Sequence, residues 1–113
     1  MAIAKHYIEN NQETDRSGGN MLVDEVTMME LYAPPFAAVA DRVAGYMCSY
    51  NRVSQVRLKA FMNLLRLLAE HQLSLLQVNG VYACENKRTL STMLKGYFNF
   101  SGFVVSDWGA THR

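Results

Sequence analysis

Charge of one sign is what this sequence most plainly lacks. Lys and Arg number 11 against 10 Asp and Glu in 113 residues, a net charge of +1, and no basic run disturbs the balance. Nucleic-acid binding through an electrostatic footprint is therefore not expected. Long uninterrupted apolar runs are missing too. The best membrane candidate, Val56 to Leu76, is broken by Arg57, Lys59, Arg66 and Glu70, which argues against a transmembrane span. No stretch resembles a secretory signal, since Met1-Ala2-Ile3-Ala4 runs at once into Lys5 and His6, and the true start is expected to lie upstream of Met1. Cysteine is scarce, and Cys48 and Cys84 by themselves fix no redox compartment. Metal-ligand spacing is absent, so Cys48 with His6 or His112 makes only a weak metal site.

What is present is hydrophobic residues, 50% of the chain, enough for one globular domain. The apolar segment 2–8 reads as a strand and the polar, glycine-bearing segment 9–20 as a loop. Asp24-Glu25 opens a helical periodicity carried by Val26, Met29, Leu31, Tyr32, Phe36, Val39 and Val43. The acidic pair suits the positive end of the helix dipole, and Pro34-Pro35 must break or restart the helix. Residues 45–51 read as a second strand, 87–98 as a helix and 102–108 as a third strand. Strands alternating with helices imply βα units and a parallel sheet.

Ligands of such sheets bind beyond the carboxyl ends of the strands. The strand exits here carry Lys5-His6, Tyr50-Asn51 and Ser106-Asp107-Trp108, groups able to grip a polar ligand or perform acid–base chemistry. Asp107 has two readings at this point, a cap for the following turn or a reacting carboxylate.

Five ordered blocks then carry a resemblance: "AKHYIENNQETDR", "ELYAPPF", "YMCSYNRV", "VNGVYACEN" and "TLSTMLKGYFNFSGFVVSDWGATH". Together they resemble glycoside hydrolase family 3, the β-glucosidases and their relatives, over nearly the whole chain except residues 53–77. The resemblance implies an α/β fold, about three βα units of a (β/α)8 barrel, and a retaining hydrolysis of terminal β-D-glucosyl residues that needs no cofactor. It makes Asp107 the nucleophile, and Lys5 and His6 ligands of sugar hydroxyls. Met47 and Tyr50 line the same subsite, and Trp108 forms part of its stacking wall. Asn10 and Glu13 match the pattern without a settled role, while Val26 departs from it where the family often has Arg. A Lys ammonium and a tyrosine hydroxyl near Asp107 would hold it ionised. The acid/base carboxyl, the rest of the barrel and the following domain are expected outside this chain. Alone it is expected to fold poorly and to be inactive.

Residues 53–77 interrupt the family text and read as a helix over about 56–76. Leu64, Leu65, Leu67 and Leu68 leave that helix no clear polar face. Excision restores the motif, and Val53-Ser54 and Gln77 are encodable as an intron's two ends. The segment therefore reads as a retained intron translated in frame. The alternative class is a non-catalytic interaction module that docks the 56–76 helix on a partner; a decayed gene is a third. Without the insertion Cys48 and Cys84 lie 84 − 48 − 25 = 11 positions apart, close enough for a disulfide in a secreted enzyme. An extracellular location is inherited from the family, and the sequon Asn99-Phe100-Ser101 is a candidate glycosylation site.

Overall fold

The computed structural model describes residues 1–56 and 80–112. Six strands appear: β1 (Ile3–Tyr7), β2 (Asn20–Asp24), β3 (Gly45–Cys48), β4 (Arg52–Val56), β5 (Val81–Tyr82) and β6 (Phe103–Ser106). Four helical segments accompany them: α1 (Glu25–Thr27), α2 (Met28–Tyr32), α3 (Pro34–Ala37) and α4 (Arg88–Tyr97). One sheet is wholly parallel, in the order β1-β3-β6; the other pairs β2 parallel and β5 antiparallel to β4.

The parallel sheet holds the three strands expected from the apolar runs, β1 one residue shorter at each end and β3 and β6 trimmed where they turn polar. Ile3 faces Gly45, and Gly45 faces Phe103 on the far side. Between Lys5 and Tyr7 the register slips, for Lys5 faces Met47 whereas Tyr7 faces Cys48, leaving His6 as the extra residue of a bulge. The peptide bonds Lys5–His6 and Tyr7–Ile8 are cis. Gly102 precedes β6 because a Cβ there would collide with the Ala44 carbonyl.

The core lies between this sheet and the helices. Tyr46 is its centre, with ring centroids 5.6 Å from Tyr7, 5.9 Å from Phe36 and 4.7 Å from Phe100. Both buried phenols have partners, as burial demands: Tyr7 donates to the Thr89 carbonyl at 2.8 Å and Tyr46 to that of Phe36 at 2.7 Å. Met93 and Leu94 bring the buried face of α4 against them.

Three expectations need correction. The second sheet was not foreseen, because β2, β4 and β5 carry polar residues within short runs. Asn20 and Asp24, assigned to a loop end and a helix start, bound a strand; Asp24 then caps α1 through its side chain, accepting from the Thr27 N–H at 3.0 Å and hydroxyl at 2.7 Å. Those bonds hold the Asp24 carboxyl below its ordinary pKa. The helix opened by Asp24-Glu25 does restart on Pro34, as the proline pair required, its fixed φ suiting a first helical position, but the face expected to run through Val43 stops at Ala37. Both α2 and α4 are wound loosely, as in the 2.9 Å bond from the Phe98 N–H to the carbonyl of Met93, five residues back. Finally, Val56, taken as the start of a helix over 56–76, ends β4. The remainder of that helix falls outside the described residues.

Candidate functional site

Three strand exits converge at the carboxyl edge of the parallel sheet. Beyond β6, the Asp107 N–H donates to the Cys48 carbonyl at 3.2 Å, extending the β3–β6 ladder by one bond and fixing the Asp107 backbone. Beyond β3, Ser49 and Asn51 are fully buried, and both donate to the Ile8 carbonyl, at 3.0 and 3.1 Å. They pin the chain where it leaves β1, immediately after Lys5-His6. Cys48 is joined to Cys84 by a disulfide, with Cα atoms 5.1 Å apart, so the end of β3 is also tied to the residue pair after β5.

The Asp107 carboxyl is nearly buried, at 6% exposure, and is the hub of the site. Its Oδ1 accepts from the Trp108 N–H at 2.8 Å and lies 3.2 Å from the Tyr50 hydroxyl. That hydroxyl has one proton and a second acceptor, the Trp108 carbonyl at 2.7 Å, so it clamps the Asp107-Trp108 turn as a whole. Among the described residues Oδ2 faces only His6, whose Nε2 stands 3.4 Å away. Burial and the neighbouring carboxylate both raise the Tyr50 pKa, which keeps it a proton-bearing donor. Trp108 itself is 86% exposed, a bare indole next to a buried carboxyl.

Lys5 is exposed and, among the described residues, forms no ion pair with Asp107; the side chain facing that carboxyl is the His6 imidazole. Lys5 and His6 instead line a common cavity of about 440 Å³ with Glu9, Asn10 and Tyr32, within the size range of small-molecule pockets. Met47 is half-buried in register between Lys5 and Val105. The structure therefore gathers Asp107, Tyr50, Trp108 and His6 into one contact network and places Lys5 and Met47 beside it. Among the described residues no group of three or more His, Cys, Asp or Glu is arranged to hold a metal.

Two residues were missed in the sequence. Arg16 lies with its guanidinium 5.0 Å above the Tyr50 ring and is held by Glu13 at 2.7 Å, while Asn10 donates to Glu13 at 3.3 Å. The chain of contacts Asn10–Glu13–Arg16–Tyr50 gives the loop 10–16 a purpose, steadying the aromatic ring that clamps Asp107. Glu9 is the second. It is 4% exposed, its carboxyl oxygens have no hydrogen-bond partner among the described residues, and its φ is 70°, a left-handed value that favours glycine.

Desolvation pushes the Glu9 pKa up to about 8. The sign follows from the folded value lying above the ordinary 4.5: the folded state favours the protonated form. Stability is full below the unfolded pKa and is lost as pH rises from there through about 8, by up to about 1.4 kcal/mol per pH unit. In a whole enzyme that carries this chain, denaturant midpoints at pH 5 and pH 8 should differ more with Glu9 than with Glu9→Gln. Equal pH sensitivity in the two enzymes would mean that Glu9 is not the titrating group.

No family model matches the chain. Among curated proteins, 98% of it is similar to β-glucosidase cel3A of Pyricularia oryzae, at 38% identity over 112 residues. Among solved structures it superposes on DesR, a β-glucosidase from Streptomyces venezuelae in complex with D-glucose, with a TM-score of 0.75 and 33% identity over 99% of the chain. A GH3 β-glucosidase from Bifidobacterium adolescentis gives a TM-score of 0.70 and 29% identity over 96%. The chain spans about 12% of the length of the Pyricularia protein, 11% of the Streptomyces one and 13% of the Bifidobacterium one.

Proposed function

We propose that this chain, whose sequence and fold belong to a stretch of the glycoside hydrolase family 3 β-glucosidases, contributes the nucleophile and part of the sugar subsite of a retaining β-glucosidase. The observation that carries the reading is the Asp107 hub: a nearly buried carboxyl at the end of a parallel strand, clamped through one oxygen and facing the His6 imidazole through the other, beside an exposed indole. The sheet β1-β3-β6 is then one sector of a (β/α)8 barrel, whose reactive residues gather at the carboxyl ends of the strands.

In this mechanism Oδ2 of Asp107 attacks the anomeric carbon and the aglycone leaves, giving a glycosyl-enzyme that water hydrolyses. Oδ1 is unsuited to attack because the Trp108 N–H and the Tyr50 hydroxyl occupy it. The Trp108 ring offers a flat face to the C–H patches of the sugar, while Lys5 and His6 supply donors to its hydroxyls. The second carboxyl of a retaining pair belongs about 5–5.5 Å from the first. No partner of Asp107 described above is a carboxyl, and we assign the acid/base to the part of the enzyme outside this chain. By itself the chain should not turn over glycosides.

The test is a graft. The chain replaces its counterpart in the Pyricularia protein, and the chimera is assayed with aryl β-glucosides. Turnover within about tenfold of the host supports the reading, as expected for a site held by local contacts. A folded chimera with no turnover rejects it.

Secretion is part of the same proposal. The Cys48–Cys84 disulfide suits an oxidising compartment. Asn99 is exposed at a φ of 51°, in the turn before β6, on the end of the strand away from Asp107. A glycan there leaves the sugar site open. Expression in a secreting eukaryotic host should give one N-glycan, removable by endoglycosidase and missing from Asn99→Gln; an unshifted native band refutes it.

A further inference from the structure

The antiparallel register of β4 and β5 sets Arg52 opposite Tyr82 and Val53 opposite Val81. Facing residues close a tight hairpin when two residues lie between them. Between Val53 and Val81 lie 81 − 53 − 1 = 27 residues, and the last two are Asn79-Gly80. Asn-Gly is the dipeptide best suited to a two-residue type I′ turn, since both central positions need a positive φ. The two strands of a hairpin and its turn dipeptide are thus all present, with 27 − 2 = 25 residues standing between them.

We infer that the working form of this protein joins Val53 directly to Asn79, closing a Val53-Asn79-Gly80-Val81 hairpin, and that residues 54–78 are removed from the message before translation. The argument is independent of family resemblance. It nevertheless meets the excision of 53–77 suggested by the sequence motif, because positions 53 and 78 are both valine and either cut leaves the same protein.

The stem of this hairpin is already complete in the structure. Val53 is buried at 3% exposure, and the Ala83 N–H donates to the Asn51 carbonyl at 2.9 Å, continuing the ladder. Arg52 lies 4.7 Å over the Tyr82 ring and donates to its hydroxyl at 2.8 Å. Cys48–Cys84 closes the base. Joining the chain gives up the pairing of Ser54–Val56 with Leu22–Asp24 and keeps that of Arg52 and Val53 with Asn20 and Met21.

Two measurements decide it, and neither needs glycoside turnover, so the β-glucosidase reading can fail without affecting them. The first is a full-length transcript read across codons 50–82. Messages in which one valine codon precedes that of Asn79 directly after Arg52 support the inference; retention of the extra codons in every message overturns it. The second compares reoxidation of the reduced 113-residue chain with its Δ54–78 variant. The Cys48–Cys84 separation falls from 36 to 36 − 25 = 11, so closure should be about sixfold faster from loop entropy alone. A Δ54–79 control leaves only Gly80 between the strands and cannot form the two-residue turn. It should close more slowly than Δ54–78, and equal rates overturn the hairpin.

Discussion

Asp107→Asn in the grafted enzyme is expected to lower kcat by about 10³-fold or more, the scale of losing a group that acts only in the transition state. The exchange is nearly isosteric. The Trp108 N–H and Tyr50 hydroxyl can still bond the remaining carbonyl oxygen, so the turn and the subsite should persist and KM should move far less than kcat. What is lost is the negative charge at Oδ2 that attacks carbon. Activated leaving groups sharpen the test. They compensate for a missing proton donor, and they should not restore Asp107→Asn. A small anion such as azide should rescue Asp107→Gly, giving a product of inverted configuration because the anion enters from the face the carboxylate occupied. Retention of activity in Asp107→Asn, or rescue by a better leaving group, would assign the nucleophile elsewhere.

The second large effect concerns the core beneath the site. Tyr46→Ala should destabilise the fold by about 3–5 kcal/mol, the usual cost of emptying a buried aromatic position. Tyr46 is fully buried, its ring meets three others, and its hydroxyl satisfies the Phe36 carbonyl. Tyr46→Phe separates the two contributions, for it keeps the ring and removes one hydrogen bond from a carbonyl that still accepts from the Val39 N–H at 3.1 Å, at about 0.5–1.5 kcal/mol. Denaturant midpoints of the two grafted variants give the comparison. If Tyr46→Ala costs no more than Tyr46→Phe, the ring cluster is not the core of this sector.

The parts of the fold legible in the sequence are those where one signal dominates. β3 and β6 are apolar runs ending in polar residues, and the helix over 87–98 matches α4 within a residue at each end. The second sheet was hidden for a physical reason: β2 and β4 take their order from pairing with each other rather than from alternation, and β5 is two residues long. The helical face after Asp24 was legible as far as its restart at Pro34 but not its end at Ala37, because Val39 and Val43 continue the apolar spacing without continuing the helix. At the site, Asp107, Tyr50, His6 and Trp108 were legible because strand ends and motif agreed. Arg16 was not, because its relation to Tyr50 is a stacking contact set by how one loop folds back. Nor was Glu9, since nothing in its own side chain announces a left-handed backbone.

The slip in β1 has a consequence for how two adjacent residues can work together. A strand counts in twos: even positions look one way and odd positions the other, so sequence neighbours are divided between faces. Lys5 and His6 are neighbours, yet both border one cavity, and the slip falls at this step. The strand in effect miscounts once, and the miscount turns a divided pair into a shared one. Correcting it by deleting one residue after His6 would restore a regular ladder to Cys48 while sending one of the two side chains to the opposite face. The dipeptide is therefore a unit of geometry as well as of sequence, and either residue moved alone to a regular strand would lose its partner.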